Sequence, residues 1–198
     1  ALYARYRNGG SPSATEYTAF QDFIFRYLLR EAGRLHLAVH FHTSVGIGEF
    51  FSLYNGNVLN LENFLRDPRY DSVTFVLLHG GFPYEREVIW LAARKNVYVD
   101  SSLTDLYLYP SEFKDVLKYW LSIFPEKVVF GSDAFPFNEA LGAEESSWLS
   151  VQSSREGLAA ALAELLSEHA FTKDQAMKIA RGYLHDNAAH VYGSLRTK

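Results

Sequence analysis

Histidine and aspartate residues end several apolar segments of this sequence, in a pattern suited to binding a metal ion. His40 and His42 are two positions apart in an alternating segment, so both rings leave the same face of the predicted strand. His79 ends a second apolar segment, and Asp133 ends a third directly after Gly131-Ser132. Imidazole and carboxylate together suit divalent ions such as Zn²⁺ or Mn²⁺. We therefore predict a functional site at His42, His79 and Asp133, and the spacing of His40 and His42 would let this pair approach a common ion.

Each of these residues also has an ordinary structural interpretation. A single histidine in a strand is most often an interior residue satisfied by hydrogen bonds, and an aspartate at a strand end often caps a turn. What favours function is that several polar residues end neighbouring strands. Five further residues flank these strand ends or lie in the long loops and are predicted to contact the substrate: Thr43, Tyr54, Asp100, Ser101 and Phe135.

The segments that must position these residues alternate between the strand-like and the helix-like spacing of apolar residues. Alternating or continuous apolar segments predict strands over residues 35–42, 73–79, 96–100 and 127–133, and helical spacing predicts helices between them. A helix over 15–32 precedes the first strand, with Gly33 as its expected C-terminal cap. Alternation of this kind implies parallel βα units, whose active sites lie at the carboxyl ends of the strands. We predict one domain over residues 1–198, with a tail or connecting loop at 1–13 and a long loop at 134–153.

Composition excludes several classes of function. The 198 residues carry a net charge of −4, so no basic surface for nucleic acid or anionic lipid is expected. The sequence contains no apolar segment long enough to span a membrane, and a cytoplasmic location is expected. The chain has 0 cysteines, so any metal must be held by histidine and carboxylate ligands.

The motifs in their order resemble the second amidohydrolase family, the metal-dependent barrel hydrolases related to aminocarboxymuconate-semialdehyde decarboxylase. The segments around His42, His79, Asp100 and Asp133 resemble strands five to eight of its (β/α)8 TIM barrel, and the His185-Asp186-Asn187 segment resembles its closing helix. The resemblance implies a divalent metal, most simply zinc, with His42, His79 and Asp133 as its ligands and His40 as an additional candidate. It also implies that Asp133 and His79 are catalytic residues. Asp133 would accept a proton from a metal-activated water that attacks a small carboxylate, amide or lactone.

The sequence departs from that family in one respect that leaves alternatives open. Full-length members carry a His-x-His pair on the first strand, ahead of strands two to four, and this sequence lacks both the pair and those strands. It therefore resembles the C-terminal half of a barrel. The function is then a hydrolase, a non-oxidative decarboxylase of the same family, or a non-catalytic fragment that folds by self-association as a homodimer or higher oligomer. A doubly wound sheet that binds a nucleotide is a further alternative, and the absence of a glycine-rich phosphate loop argues against it.

Overall fold

A four-stranded parallel sheet forms the centre of the protein. The structure, a computed structural model, describes residues 2–43 and 52–193. The strands are β1 (Ala38–His42), β2 (Thr74–Leu78), β3 (Val97–Asp100) and β4 (Val128–Val129), and they lie in the order β1-β2-β3-β4 with parallel pairing throughout. The predicted α/β class is therefore confirmed, and the arrangement is that of part of a TIM-barrel-like domain.

Helices connect and cover these strands. They are α1 (Leu2–Arg7), α2 (Ala14–Arg34), α3 (Glu62–Leu65), α4 (Glu85–Leu91), α5 (Thr104–Tyr107), α6 (Pro110–Ile123), α7 (Ala143–Ser167), α8 (Lys173–Arg181) and α9 (Asn187–Gly193), with a π-helical turn at Gly182–Asp186 before α9. Helix α8 begins with a capping box, in which the side chains of Thr172 and Gln175 accept hydrogen bonds from each other's backbone amides. None of the helices in the described ranges is long and apolar enough to cross a bilayer.

Strand alternation gives the sheet two differently covered faces. Phe75, Leu77 and Val99 belong to the main core that α4, α6 and α7 share. The residues between them point the other way, and Val76, Tyr98 and Val129 pack against Val191 of α9. The face that would line the interior of a closed barrel is thus covered in part by the C-terminal helix rather than left open.

Several predicted boundaries were wrong, each for a local reason. Gly33 does not end α2, which continues to Arg34. The glycine instead permits close packing, because a Cβ there would lie 3.0 Å from a methyl carbon of Val73, just before β2. The left-handed residue after the helix is His36, at φ 56°, and β1 therefore begins only at Ala38. The predicted tail contains helix α1, whose Tyr3 and Tyr6 pack on Phe20 of α2.

The end of the fourth βα unit also differs from the prediction. β4 has two residues, because the backbone amide of Phe130 donates to the carbonyl of Tyr183 instead of continuing the sheet. Helix α7 begins at Ala143, so the connection after Asp133 covers residues 134–142 and is shorter than the predicted loop over 134–153. Buried serines on the first turns of α7 account for the earlier start, since they face the core.

Two strands of the sheet have only one strand neighbour in the described residues, β1 and β4, and the segment that contains Tyr183 and Asn187 borders β4. β1 pairs only with β2, which makes it an edge strand. Next to it, α2 exposes a stripe of large apolar side chains, with exposed fractions between 37% and 60%: Tyr17, Phe23, Ile24, Tyr27 and Leu28. This stripe and the β1 edge together form the open side of the protein.

Candidate functional site

His79 lies at the carboxyl end of β2 and is fixed by the chain that follows β3. Its Nδ1 lies 3.2 Å from the carbonyl oxygen of Ser102 and 2.9 Å from the Ser102 hydroxyl. Because a carbonyl can only accept, Nδ1 carries the hydrogen. The neutral ring therefore presents an unprotonated Nε2, which is the atom available to ligate a metal or accept a proton.

Asp133 and His42 flank this imidazole. The Nε2 of His79 lies 4.0 Å from the nearer carboxylate oxygen of Asp133. The rings of His42 and His79 have centroids 4.5 Å apart. The structure thus brings the three predicted ligands to one place at the carboxyl end of the sheet, as parallel strands require.

The backbone at two of these residues is unusual. His79 has φ 67° and Asp133 has φ 47°, in the left-handed region that residues other than glycine rarely adopt. Such conformations persist only when the surroundings impose them, and they concentrate at functional sites. Both side chains are therefore aimed by the tertiary structure rather than by local preference.

The electrostatics of the site keep His79 neutral. Burial is the main cause that lowers the pKa of His79 below its ordinary value of 6.5, and the neighbouring His42 lowers it further. The carboxylates of Asp133 and Asp100 act in the opposite direction but do not prevail. An imidazole that is neutral at pH 7 is the form that binds a metal or takes a proton from water.

Asp100 positions His79 and Ser102 through buried hydrogen bonds. One of its carboxylate oxygens accepts hydrogen bonds from the amide of Ser102 at 3.0 Å, from the Ser102 hydroxyl and from the amide of His79 at 3.5 Å. The other oxygen occupies the space that Gly131 leaves free, since a Cβ on Gly131 would lie 2.2 Å from it. In this structure the absence of a side chain at Gly131 thus makes room for the Asp100 carboxyl group.

Ser102 is the functional contact that sequence reasoning missed. It links the carboxylate of Asp100 to the imidazole of His79 and so fixes the tautomer. Its position two residues beyond the end of β3 was the only available signal. That signal was weak, because serine is common in such turns.

Three of the other predicted residues take structural roles here. His40 Nε2 lies 2.9 Å from the hydroxyl of Tyr192 in α9, so it faces the covered inner side of the sheet. The Thr43 hydroxyl donates to the carbonyl of Leu78 at 2.6 Å, which ties β1 to β2. Ser101 is fully buried and is hydrogen-bonded to Tyr183 at 2.8 Å. None of the three presents a free polar group beside His79.

The two predicted aromatic contacts differ in their setting. Phe135 follows Asp133 by two residues and packs on Phe137 with ring centroids 4.0 Å apart. Phe135 therefore lies close to Asp133 in the chain. Tyr54 is 80% exposed in the segment before α3, and its side chain makes no hydrogen bond within the described residues.

The donor types at the site suit a divalent ion, but the described residues supply an incomplete shell. Two donors of one zinc ion at tetrahedral geometry lie about 3.4 Å apart, so His79 and Asp133 need only a small movement to share an ion. Asp133 has a side chain that is 49% exposed and is free to make it. However, within residues 2–43 and 52–193 no group of three or more ligand side chains converges closely enough to hold a metal.

The described structure is thus a parallel sheet of part of a TIM-barrel-like domain, with His42, His79 and Asp133 at the carboxyl end of its strands. The profile of the family described as Amidohydrolase matches residues 7–194. The chain therefore belongs to the amidohydrolase family.

Two of the proteins to which this chain is similar show how much of a longer protein it covers. Protein fluG of Emericella nidulans is 28% identical over 153 residues, which cover 76% of this chain and 17% of that protein. A crystal structure from Lactobacillus casei, described as a metal-dependent hydrolase, superposes with a TM-score of 0.65 and 24% identity, covering 86% of this chain and 44% of that one. The chain spans less than half the length of either protein, and the likeness to the second concerns the fold.

Proposed function

We propose that this chain carries part of the active centre of a metal-dependent hydrolase that acts on a small carboxylate, amide or lactone. His42, His79 and Asp133 would contribute ligands to one divalent ion, zinc or manganese, and β1–β4 would correspond to strands five to eight of the barrel. The observation that carries the proposal is the neutral His79, whose free Nε2 lies 4.0 Å from the Asp133 carboxylate and beside His42.

The residues of the chain have distinct roles in this proposal. Asp133 is exposed enough to contact a water molecule at the site and would accept its proton as general base when that water attacks the substrate. His79 is held by Ser102 and Asp100, so its Nε2 keeps one direction. Phe135 and Tyr54 are proposed to contact the substrate. A bound divalent ion would supply a Lewis acid that polarises the substrate and lowers the pKa of water.

A second candidate function is favoured by the open side of the protein. The incomplete ligand shell and the exposed stripe on α2 are what we expect of a non-catalytic fragment that folds and self-associates. Self-association would pair the β1 edge and bury the stripe of two copies, since unpaired edges and large apolar patches attract partners. Closing two copies into one barrel would first require α9 to leave the inner face.

Metal content separates these candidates. The protein is dialysed against zinc and then manganese, and bound metal is measured by elemental analysis for the wild type, His42→Ala and Asp133→Ala. His185→Ala, which changes an exposed histidine far along the chain, is the matched control. About one ion per wild-type and control chain, lost in both site variants, supports the hydrolase.

No retained metal in the wild type would refute the metal centre for this chain and favour the second candidate. Sedimentation then tests self-association directly, and a strictly monomeric, folded species would exclude it. If metal is retained, substrates are screened for hydrolysis and for release of carbon dioxide, which distinguishes the hydrolase from the non-oxidative decarboxylase.

A further inference from the structure

A buried carboxyl group outside the site has no ionic partner in the described residues. Asp105 lies in α5 and is 1% exposed. One of its oxygens accepts hydrogen bonds from the hydroxyls of Ser150 and Ser154 of α7, the latter at 2.8 Å. The other oxygen is buried without a hydrogen-bond partner. An arrangement this costly calls for a physical reason.

The hydrogen bonds of Asp105 continue into a buried network. The hydroxyl of Ser154 also lies 3.1 Å from that of Tyr183, which in turn lies 2.8 Å from the hydroxyl of Ser101. Ser101 directly follows Asp100 at the end of β3. The network therefore joins α5, α7, the π-helical turn and the end of the central sheet.

Helix α7 transmits this anchoring to the segment that carries Asp133. Ser146 lies one turn before Ser150 on the same buried stripe. Its hydroxyl donates to two backbone carbonyls at 3.1 Å, that of Phe135 and that of Ala143 in the first turn of α7, which share its one hydrogen. Phe135 is two residues from Asp133, whose backbone is held in the left-handed region. The position of α7 against Asp105 thus constrains where Asp133 lies.

Helix α5, which carries Asp105, also contacts the His79 side of the site. Thr104, which is fully buried beside Asp105, donates its hydroxyl hydrogen to the backbone carbonyl of His79 at 2.8 Å. Helix α5 therefore contacts the backbone of His79 directly and reaches Asp133 through α7. A shift of α5 would therefore alter the distance between His79 and Asp133, because it would move both residues.

The charge state of Asp105 is set by its surroundings. Burial is the main cause that raises its pKa to about 7, the serine hydrogen bonds oppose this, and the carboxylate of Asp100 raises it further. The elements around it contribute the hydroxyls of Ser150, Ser154 and Tyr183 and the carboxylate of Asp100. The Asp105 carboxyl group, which accepts hydrogen bonds from Ser150 and Ser154, consequently changes charge close to neutral pH.

We propose that Asp105 is a positioning residue that sets the separation of His79 and Asp133 through α5 and α7. As a statement about activity, this inference rests on the proposed metal-dependent function. As a statement about structure, it requires only that the Asp133 segment respond to Asp105. The two parts can therefore fail separately.

The first measurement follows Asp105 without any metal. Nuclear magnetic resonance records the carboxyl carbon of Asp105 and the backbone amide of Phe135 between pH 5 and 9, in the wild type, Asp105→Asn and Asp115→Asn. Asp115 is an exposed carboxylate on α6 and serves as the matched control. We expect both signals to titrate together near pH 7, and the Phe135 transition to disappear only in Asp105→Asn. A Phe135 transition that persists in Asp105→Asn would overturn the proposal.

A second variant covers the case in which Asp105→Asn does not fold. Ser150→Ala removes one hydrogen bond that favours the charged carboxylate, so the Asp105 and Phe135 midpoints should move together to higher pH. If the Asp105 midpoint moves and that of Phe135 does not, the coupling is absent and the proposal fails.

Zinc titration by calorimetry at pH 8 then connects the network to the site. We expect Asp105→Asn to weaken zinc binding about 10-fold to 100-fold, the range typical of groups that orient metal ligands, while Asp115→Asn leaves it unchanged. Equal zinc binding by the wild type and Asp105→Asn would refute positioning of the metal site while leaving the proposed function intact. A wild type that binds no zinc would refute the proposed function, and the Phe135 titration would still decide the structural part.

Discussion

Replacing Gly131 by alanine tests whether the space beside β4 is reserved for the Asp100 carboxylate. A Cβ at this position would lie 2.2 Å from one oxygen of Asp100 and 3.1 Å from its carboxyl carbon, so the carboxyl group must move. The backbone of Gly131 is outside the left-handed region, and alanine therefore adds no conformational strain of its own. Most of the loss of stability therefore comes from the displaced carboxyl group, and the Cβ of Ser102, 3.2 Å from the added carbon, contributes less.

The size of the effect follows from what Asp100 holds. Its other oxygen accepts hydrogen bonds from the Ser102 amide, the Ser102 hydroxyl and the His79 amide, all buried. Leaving a buried polar group unsatisfied costs about 1–3 kcal/mol, and a shifted carboxyl group must give up at least one of these bonds. We expect Gly131→Ala to lower the free energy of unfolding by about 2–4 kcal/mol.

Urea denaturation monitored by circular dichroism measures this change. Gly193→Ala is the matched control, because nothing lies within 4 Å of the added Cβ, and it should stay within about 0.5 kcal/mol of the wild type. In an Asp100→Ala background the Gly131→Ala substitution should cost less than about 1 kcal/mol, because the opposing carboxyl group is gone. An equal cost in both backgrounds, or no cost in the wild type, would refute the reasoning.

Three further outcomes are expected. Burial lowers the pKa of His79 below 6.5, so as the pH falls the unfolded chain binds a proton at this residue before the folded chain does. The urea midpoint of the wild type should therefore decline as the pH falls through 6.5, and that of His79→Asn should decline less. Thr172→Ala removes the hydroxyl that accepts from the Gln175 amide and should cost about 1 kcal/mol, whereas Thr172→Ser should cost only a few tenths; thermal unfolding that does not separate the two variants would contradict this role. Tyr192→Phe removes the hydrogen bond to His40 and should cost about 1 kcal/mol without changing metal content, and lost metal would instead place His40 in the site.

Much of the fold could be predicted because its signals are local. Alternation at Val97 and Val99 and the helical spacing of Phe113, Leu117 and Trp120 each depend on neighbouring residues, and the structure confirms both elements. The capping box at Thr172 is equally local. The rule that parallel strands share their carboxyl ends then sufficed to place His42, His79 and Asp133 together.

What the sequence by itself determined was therefore most of the elements, the parallel direction of the strands and the strand ends at which His42, His79 and Asp133 lie. The tertiary structure alone decided which polar group bonds to which. The Ser102 bond that fixes the His79 tautomer, the space at Gly131 filled by Asp100, and the burial of Asp105 under Ser150 and Ser154 each join residues from different elements. Such contacts depend on the register of strands and the placement of whole helices, and those are set by the packing of the complete core rather than by any short segment.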